Sequence, residues 1–172
     1  MSYNDLEKNI SYKFKNIELL DQALTHKSYN NKINNERLEF LGDSLLNAVV
    51  SQYLYERFSS EKEGLLTRMR AHLVKAETLT QKAESLGLQD YIKLSKGTAN
   101  LSRDRKNSIL EDAFEAIIGA VFIDNGWIMA NSTILYLFKK EFAELSSDMT
   151  FKDSKTELQE YLQSMKLDLP DY

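Results

Sequence analysis

Apolar residues recur at three- and four-residue spacing along almost the whole chain, and the strict alternation of a half-buried strand is scarce. That periodicity predicts short helices over residues 3–10 and 16–25, then a long helix over 35–58. A further helical stretch over 63–86 is broken near Val74-Lys75 and ends at Leu86-Gly87, a glycine C-cap. One helical turn over 88–93 leads into the polar loop SKGTANLSRDRKN, residues 95–107. Ser108 opens an apolar helix running to Asp124, where Asn125-Gly126 supplies stop chemistry, and another helix covers 127–144. SSDMTFKD (146–153) reads as a linker, and SKTELQEYLQSMK after it as one more amphipathic helix. The expected class is all-α.

Two of these helices carry acids where a helical core face leaves little room for them. In NNERLEFLGDSLLNAVV (34–50), placing residues about 100° apart puts Leu38, Leu41, Leu45, Ala48 and Val49 on a core face. Glu36, Glu39, Asp43 and Asn47 form a stripe on another side. Acidic stripes on helices are usually solvated faces, but such faces normally mix signs to gain ion pairs, and this one holds no lysine or arginine. Phe40 projects beside the acids, away from the leucines, where an aromatic ring gains nothing unless another surface covers it.

SILEDAFEAIIGAVFID (108–124) is sharper. Asp112 and Glu115 stand one turn apart in a helix that is apolar nearly all round, with Gly119 continuing their stripe. Glycine inside a helix costs up to about 1 kcal/mol, which close approach of another helix or a ligand would explain. Two buried carboxylates need a metal, an arginine or a shared proton, and a structural salt bridge stays open as the alternative.

Composition narrows what those acids could hold. The 172 residues suffice for one domain with a real core and a small appendage. Cysteine is absent, which excludes disulfides and thiolate metal sites and fits a reducing cytoplasm. Neither a basic-then-apolar leader nor an uninterrupted membrane-length apolar run is evident, so no membrane partner is expected. Glu39, Asp43, Asp112 and Glu115 are oxygen donors without convergent histidine, a set that suits Mg²⁺ or Mn²⁺ better than zinc. No loop carries EF-hand spacing, and no Glu-x-x-His pair supports a di-iron bundle. His26 and His72 read as structural or phosphate-contacting residues rather than ligands. The formal net charge of -4 argues weakly against nucleic acid, but a bound cation reverses that argument because Mg²⁺ completes its shell with water and phosphate. Lys27, Arg68, Arg70, Arg103, Arg105 and Lys106 flank the acidic helices in local basic runs.

The segment NERLEFLGDSLL (35–46) closely resembles the signature of ribonuclease III, the endonuclease of double-stranded RNA. ALTHKSY (23–29), EGLLTRMRAHLV (63–74) and SILEDAFEAIIGAVFID (108–124) match its other blocks in order, so the similarity covers residues 3–145. The resemblance implies an all-α, homodimeric helical bundle over residues 1–146. It puts Glu39, Asp43, Asp112 and Glu115 at the metal-binding positions, with Asp43 and Glu115 as the catalytic pair, and Glu36 and Glu63 lining the cleavage valley. Phe40 matches an aromatic residue that enters a socket on the partner subunit. Lys27, Arg68, Arg103, Arg105 and Lys106 become candidate RNA phosphate contacts.

The implied chemistry is hydrolysis of phosphodiester bonds with Mg²⁺, or Mn²⁺ in its place, and no nucleotide cofactor. The products are 5′-phosphate and 3′-hydroxyl ends with two-nucleotide 3′ overhangs, made in the cytoplasm during rRNA and mRNA processing and decay. Two departures stand out. The loop SKGTANLSRDRKN lacks the acid and paired glycines of many relatives. Residues 154–172, after a linker at 147–153, resemble only the first helix and turn of the double-stranded RNA-binding domain, too little to bury a core. A non-catalytic RNA-binding or dimerisation module is the competing reading, although such modules usually lose a metal acid; a helical metalloprotein unrelated to RNA is a distant third.

Overall fold

A computed structural model describes residues 3–100, 102–146, 161–162 and 165. The expected linker and the helix over 154–165 lie almost wholly outside the described residues. Among those described there is no strand, only an isolated parallel bridge between Thr25 and Lys93. The helices are α1 (Tyr3–Asn9), α2 (Ile17–Ala23), α3 (Glu36–Arg57), α4 (Glu63–Leu73), α5 (Ala76–Ser85), α6 (Arg103–Leu137) and α7 (Lys139–Glu144). Short 3₁₀ turns at Leu88–Asp90 and Lys96–Asn100 join α5 to α6.

Three boundaries differ from the periodicity reading. α6 begins at Arg103 rather than Ser108, because the charged run RDRKN forms the exposed first turns of the helix instead of a loop. The 127–144 helix is interrupted at Phe138, a buried side chain that packs edge-on against Phe114 and turns α7 back onto the core. Ala48 is exposed, so the core face of α3 is rotated toward Leu38, Gly42, Leu45, Leu46, Val49, Val50 and Leu54. Elsewhere the punctuation holds. Gly87 closes α5 in the left-handed region, and Asn125-Gly126 bends α6, with Gly126 at φ 74.

α6 is the spine. Its residues from Ile109 to Val121 are almost all buried, and α2, α3 and α5 pack around it. By length and composition alone this helix could cross a membrane, its most apolar window reaching a mean hydropathy of 1.4. Here that apolarity serves the core of a helical bundle, with 56% of the window buried inside the protein.

α3 and α6 meet main chain to main chain. A Cβ at Gly42 would lie 1.8 Å from the Glu115 carbonyl oxygen, and one at Gly119 would lie 2.2 Å from the Leu38 carbonyl oxygen. Only glycine permits this crossing, which answers why Gly119 sits inside a helix. Gly42 does the same from the opposite side.

Polar ties fix the remaining segments. Asp124 accepts hydrogen bonds from the Tyr12 hydroxyl at 2.6 Å and from the backbone N–H groups of Lys15 and Asn16 at 2.8 and 2.9 Å. Burial pushes the Asp124 carboxyl upward, but these donors hold it below its usual value. Lys82, only 8% exposed, donates to the Leu137 carbonyl at 2.6 Å, pairs with Glu141 at 2.6 Å and lies over the Phe138 ring. It thereby caps the C-terminal end of α6 with a positive charge.

Candidate metal and nucleic-acid site

The backbone crossing of α3 and α6 brings the predicted acids to one place. On α6, the residues Ser108, Glu111, Asp112, Glu115 and Gly119 follow helical spacing, and the stretch from Glu115 to Gly119 meets α3. On α3, Glu39 and Asp43 flank Gly42. Glu115 is only 9% exposed, and no described residue donates a hydrogen bond or forms an ion pair to its carboxylate. What it meets instead is negative charge from Asp43, Glu111, Glu39 and Asp112.

The electrostatic cost is legible group by group. Burial first, then the neighbouring acids, pushes Glu115 up to about 8. Asp112 is raised to about 6 by burial and by Glu111, with Lys27 offsetting part of the effect. Glu39 is raised by burial and then by Asp112 and Glu36. Lys27 is the cation that reaches this group: its ammonium lies 2.8 Å from Glu36 and also acts on Asp112 and Glu39.

These shifts give the metal-free protein a defined pH response. Glu115 and Asp112 would ionise near their usual 4.5 and 3.8 in the unfolded chain. Between those values and about 8 the folded state therefore keeps protons that the unfolded state has lost, and stability falls as pH rises. His26 opposes this below its usual 6.5, since burial lowers its affinity for a proton. The clean window is pH 6.5 to 8. A metal-free melting temperature that declines across it is expected in a thermal scan with chelator, and a flat or rising profile would contradict the buried carboxylate.

Glu111 is the residue that sequence reasoning misses. Burial raises it, followed by Glu39 and Asp43, so it belongs to the same electrostatic group as the four predicted acids. Its signal was available as spacing: it stands one turn before Glu115 on the stripe that ends at Gly119.

The donor set is chemically suited to a hard divalent cation: carboxylate oxygens only, one of them buried without a partner. Among the described residues no group of three or more such side chains is placed to hold a metal ion.

Comparison with known proteins identifies the family to which this fold belongs. Residues 16–141 match the family described as Ribonuclease-III-like. Ribonuclease 3 from Shewanella sp. (strain MR-7) is 48% identical over 165 residues, covering 96% of this chain and 73% of the relative. Ribonuclease 3 from Pseudomonas syringae pv. tomato is 46% identical over 172 residues, covering 100% of this chain and 75% of the relative. The chain belongs to the ribonuclease III family. Its members are endoribonucleases of double-stranded RNA, and that is the class of enzyme to which this protein is assigned.

Solved structures of the family share the fold. The nuclease domain of ribonuclease III from Campylobacter jejuni superposes with a TM-score of 0.78 at 44% identity, covering 83% of this chain and 99% of that chain. Structural flexibility is described for that domain's dimer-forming region. Dicer from Pichia stipitis gives a TM-score of 0.64 at 30% identity, covering 86% of this chain and 68% of that chain.

Against this ribonuclease III scaffold, the other predicted residues divide. Glu36 borders the acid group and is engaged by Lys27. Glu63 stands apart at the start of α4, exposed, accepting a hydrogen bond from Thr67 at 2.7 Å, and it is not among the charges felt by Glu39, Asp112 or Glu115. Arg68 is exposed on α4, and Arg103, Arg105 and Lys106 are exposed on the first turns of α6. Arg70 instead turns inward and donates to Ser51 at 3.0 Å, which ties α4 to α3. Phe40 is 77% exposed and Tyr55 74%, and with Ser44 and exposed Ala48 they share one side of α3. A cavity of about 590 Å³ bordered by Ile92, Leu94, Ile109 and Leu110 lies elsewhere, and none of the four predicted acids lines it.

Proposed function

We propose that this protein is a Mg²⁺-dependent homodimeric endonuclease that hydrolyses double-stranded RNA, acting in the cytoplasm on rRNA and mRNA precursors. The observation that carries the reading is Glu115, a buried carboxylate without a protein partner, one turn after Asp112 on α6 and across a glycine-only helix crossing from the stretch of α3 that carries Glu39 and Asp43. Glu39, Asp43, Asp112 and Glu115 would hold Mg²⁺, with Mn²⁺ as an acceptable substitute. Bound there, the ion supplies an activated water and neutralises charge developing on the phosphate.

The chain's own residues do the rest. The close backbone crossing would hold the stretches of α3 and α6 that carry the four carboxylates side by side before RNA arrives. Asp43 on α3 and Glu115 on α6, whose charges act on one another, would be the pair closest to the chemistry. Lys27, Arg68, Arg103, Arg105 and Lys106 are solvent-facing cations that would track the backbone of an A-form duplex, whose shape and 2′-hydroxyls are read more than its bases. Glu36 and Glu63 would line the valley, Glu63 from a greater distance. Two copies of the site in one dimer would cut opposite strands, leaving 5′-phosphate and 3′-hydroxyl ends with two-nucleotide 3′ overhangs.

The test is incubation with long duplex RNA and MgCl₂ at low salt, alongside single-stranded RNA and chelator controls. Short duplex products that require the metal are expected. Intact duplex at high enzyme concentration, with Mg²⁺ binding verified, would overturn the assignment of catalysis.

The dimer has its own test. An exposed phenylalanine and tyrosine on one side of α3 leave a large apolar area in water, which association would cover. Phe40→Ala is expected to weaken self-association at least about tenfold, since burying an aromatic ring is worth upwards of about 1.4 kcal/mol. Sedimentation over a concentration series measures it, and an unchanged dimer constant would remove Phe40 from the interface.

A further inference from the structure

The motif ALTHKSY (23–29) holds a histidine and a serine that the proposed chemistry does not use. The half-buried His26 ring accepts the Ser28 backbone N–H at 3.1 Å and lies 2.8 Å from the Ser28 hydroxyl, both through Nδ1. This is a local side-chain-to-backbone turn of the kind that polar side chains make two residues ahead. Nδ1 must then be an acceptor, so the neutral imidazole carries its proton on Nε2 and the Ser28 hydroxyl donates to the ring. The hydroxyl oxygen keeps a lone pair, which takes the backbone N–H of Ser95 at 3.2 Å.

Ser28 and Ser95 belong to different segments, 67 residues apart in the sequence. The first runs from α2 to α3 and carries Lys27, whose ammonium lies 2.8 Å from Glu36. The second leads through the turn at Lys96–Asn100 into the exposed Arg103, Arg105 and Lys106 of α6. Backbone already joins the two segments upstream. The Lys93 N–H donates to the Leu24 carbonyl at 2.8 Å, and the His26 N–H donates to the Lys93 carbonyl at 3.2 Å. The side-chain link through Ser28 is therefore not what ties these segments together. It acts beyond that bridge, at Ser95, whose carbonyl accepts the Thr98 N–H at 3.0 Å and so starts the turn toward α6.

We propose that His26 and Ser28 form a clasp that positions Lys27 and the basic first turns of α6 as one RNA-binding unit, and that protonation of the imidazole opens it. This rests on the double-stranded RNA reading given above and deepens it by naming what sets the spacing of its cations. An imidazolium is a donor at both nitrogens, so its Nδ1 can accept neither the Ser28 N–H nor the Ser28 hydroxyl. Burial disfavours that charged form first, then Lys27 on the same segment, while Glu36 on α3 favours it. Lys93, on the facing segment, pairs with Asp21 at 2.6 Å. The balance lowers the affinity of His26 for a proton, which keeps the ring neutral and the clasp closed at pH 7.5. The clasp opens as pH falls below the ordinary histidine range.

The experiment compares the full chain with Ser28→Ala and His26→Asn. Asparagine puts a carbonyl oxygen where Nδ1 stands, so it preserves the acceptor and does not titrate. In nitrogen-15 spectra of the parent imidazole at pH 7.5, a bare Nδ1 and a protonated Nε2 are expected, and the opposite tautomer would overturn the clasp. In cleavage of duplex RNA with MgCl₂ at pH 7.5, Ser28→Ala should raise KM about fivefold, the scale of one ordinary hydrogen bond, with kcat within about twofold of the parent. His26→Asn should keep the parent's KM at that pH, and a rise of about fivefold would refute Nδ1 as the acceptor that matters. As pH falls to 5.5, the parent's KM should rise relative to that of His26→Asn, a ratio from which titration of the acids they share cancels. A Ser28→Ala KM equal to the parent's, or a parent-to-asparagine ratio that does not move with pH, overturns the positioning role. A parent that leaves duplex RNA intact refutes the nuclease reading and this role with it, whereas the tautomer is read without RNA.

Discussion

Glu115→Gln is expected to abolish cleavage while leaving the fold intact, with a loss on the order of a thousandfold or more, the scale seen when a central electrostatic group leaves a site. The exchange is nearly isosteric, and the backbone crossing beside it does not involve the side chain, whose removal leaves the Glu115 carbonyl in place. A second readout separates this role from a structural one. Glu115 holds its proton up to about 8 in the folded protein but ionises near its usual 4.5 in the unfolded chain, so without metal the parent is already the less stable of the two at pH 6 and the gap widens toward pH 8. At pH 8 and above the parent carries a buried, repelled charge and the variant does not, so the variant should be the more stable of the two. Circular-dichroism melts in chelator at the two pH values measure this difference. Cleavage at the parent rate, or a variant less stable than the parent at high pH, would remove Glu115 from the site.

Gly42→Ala is expected to have the largest effect on stability of any single methyl group added to this protein. The new carbon would fall 1.8 Å from the carbonyl oxygen of Glu115, and backbone on backbone has no flexible end that could yield. The helices must separate, at a cost of about 3 kcal/mol or more, the upper range for overpacked interiors. Separation also moves Glu39 and Asp43 away from Asp112 and Glu115, so whatever folded protein remains should be poor in Mg²⁺ binding. Gly97→Ala is the control, since a carbon there meets nothing within 4 Å. Urea denaturation of the two variants compares them directly, and equal midpoints would mean that the crossing is not tight in solution.

Much of this was legible in the residues because helices write their faces into spacing. The separation of Glu39 and Asp43 from the leucines of α3, and the isolation of Asp112 and Glu115 in an apolar helix, follow from a period of 3.6. What spacing cannot carry is which helix covers which face. Ala48 illustrates it: periodicity puts it with the leucines, but α6 approaches on the side of Gly42, and Ala48 is left in water beside Phe40. Gly42 itself gives no sign of its role until its partner carbonyl is known. Glu111 escaped although it stands one turn before Glu115, because spacing alone does not say which of three acids in five residues will lie near the acids of α3. The start of α6 was misplaced for a different reason, since a run of charges resembles a loop whether or not its backbone is helical.

The ties made by Asp124 bear on the order in which this molecule can assemble. Tyr12, Lys15 and Asn16 lie 112, 109 and 108 residues before it in the sequence. The segment joining α1 to α2 has local ties, such as the Phe14 N–H to Glu7 at 2.8 Å, but these ties to the spine helix wait until its first 22 residues have been made. Closing so long a loop is entropically slow. During synthesis the first two helices can join each other through Tyr3 and Asp21, but the loop between them gains its tie to the spine only when a residue more than a hundred positions later emerges, so that docking is a late event.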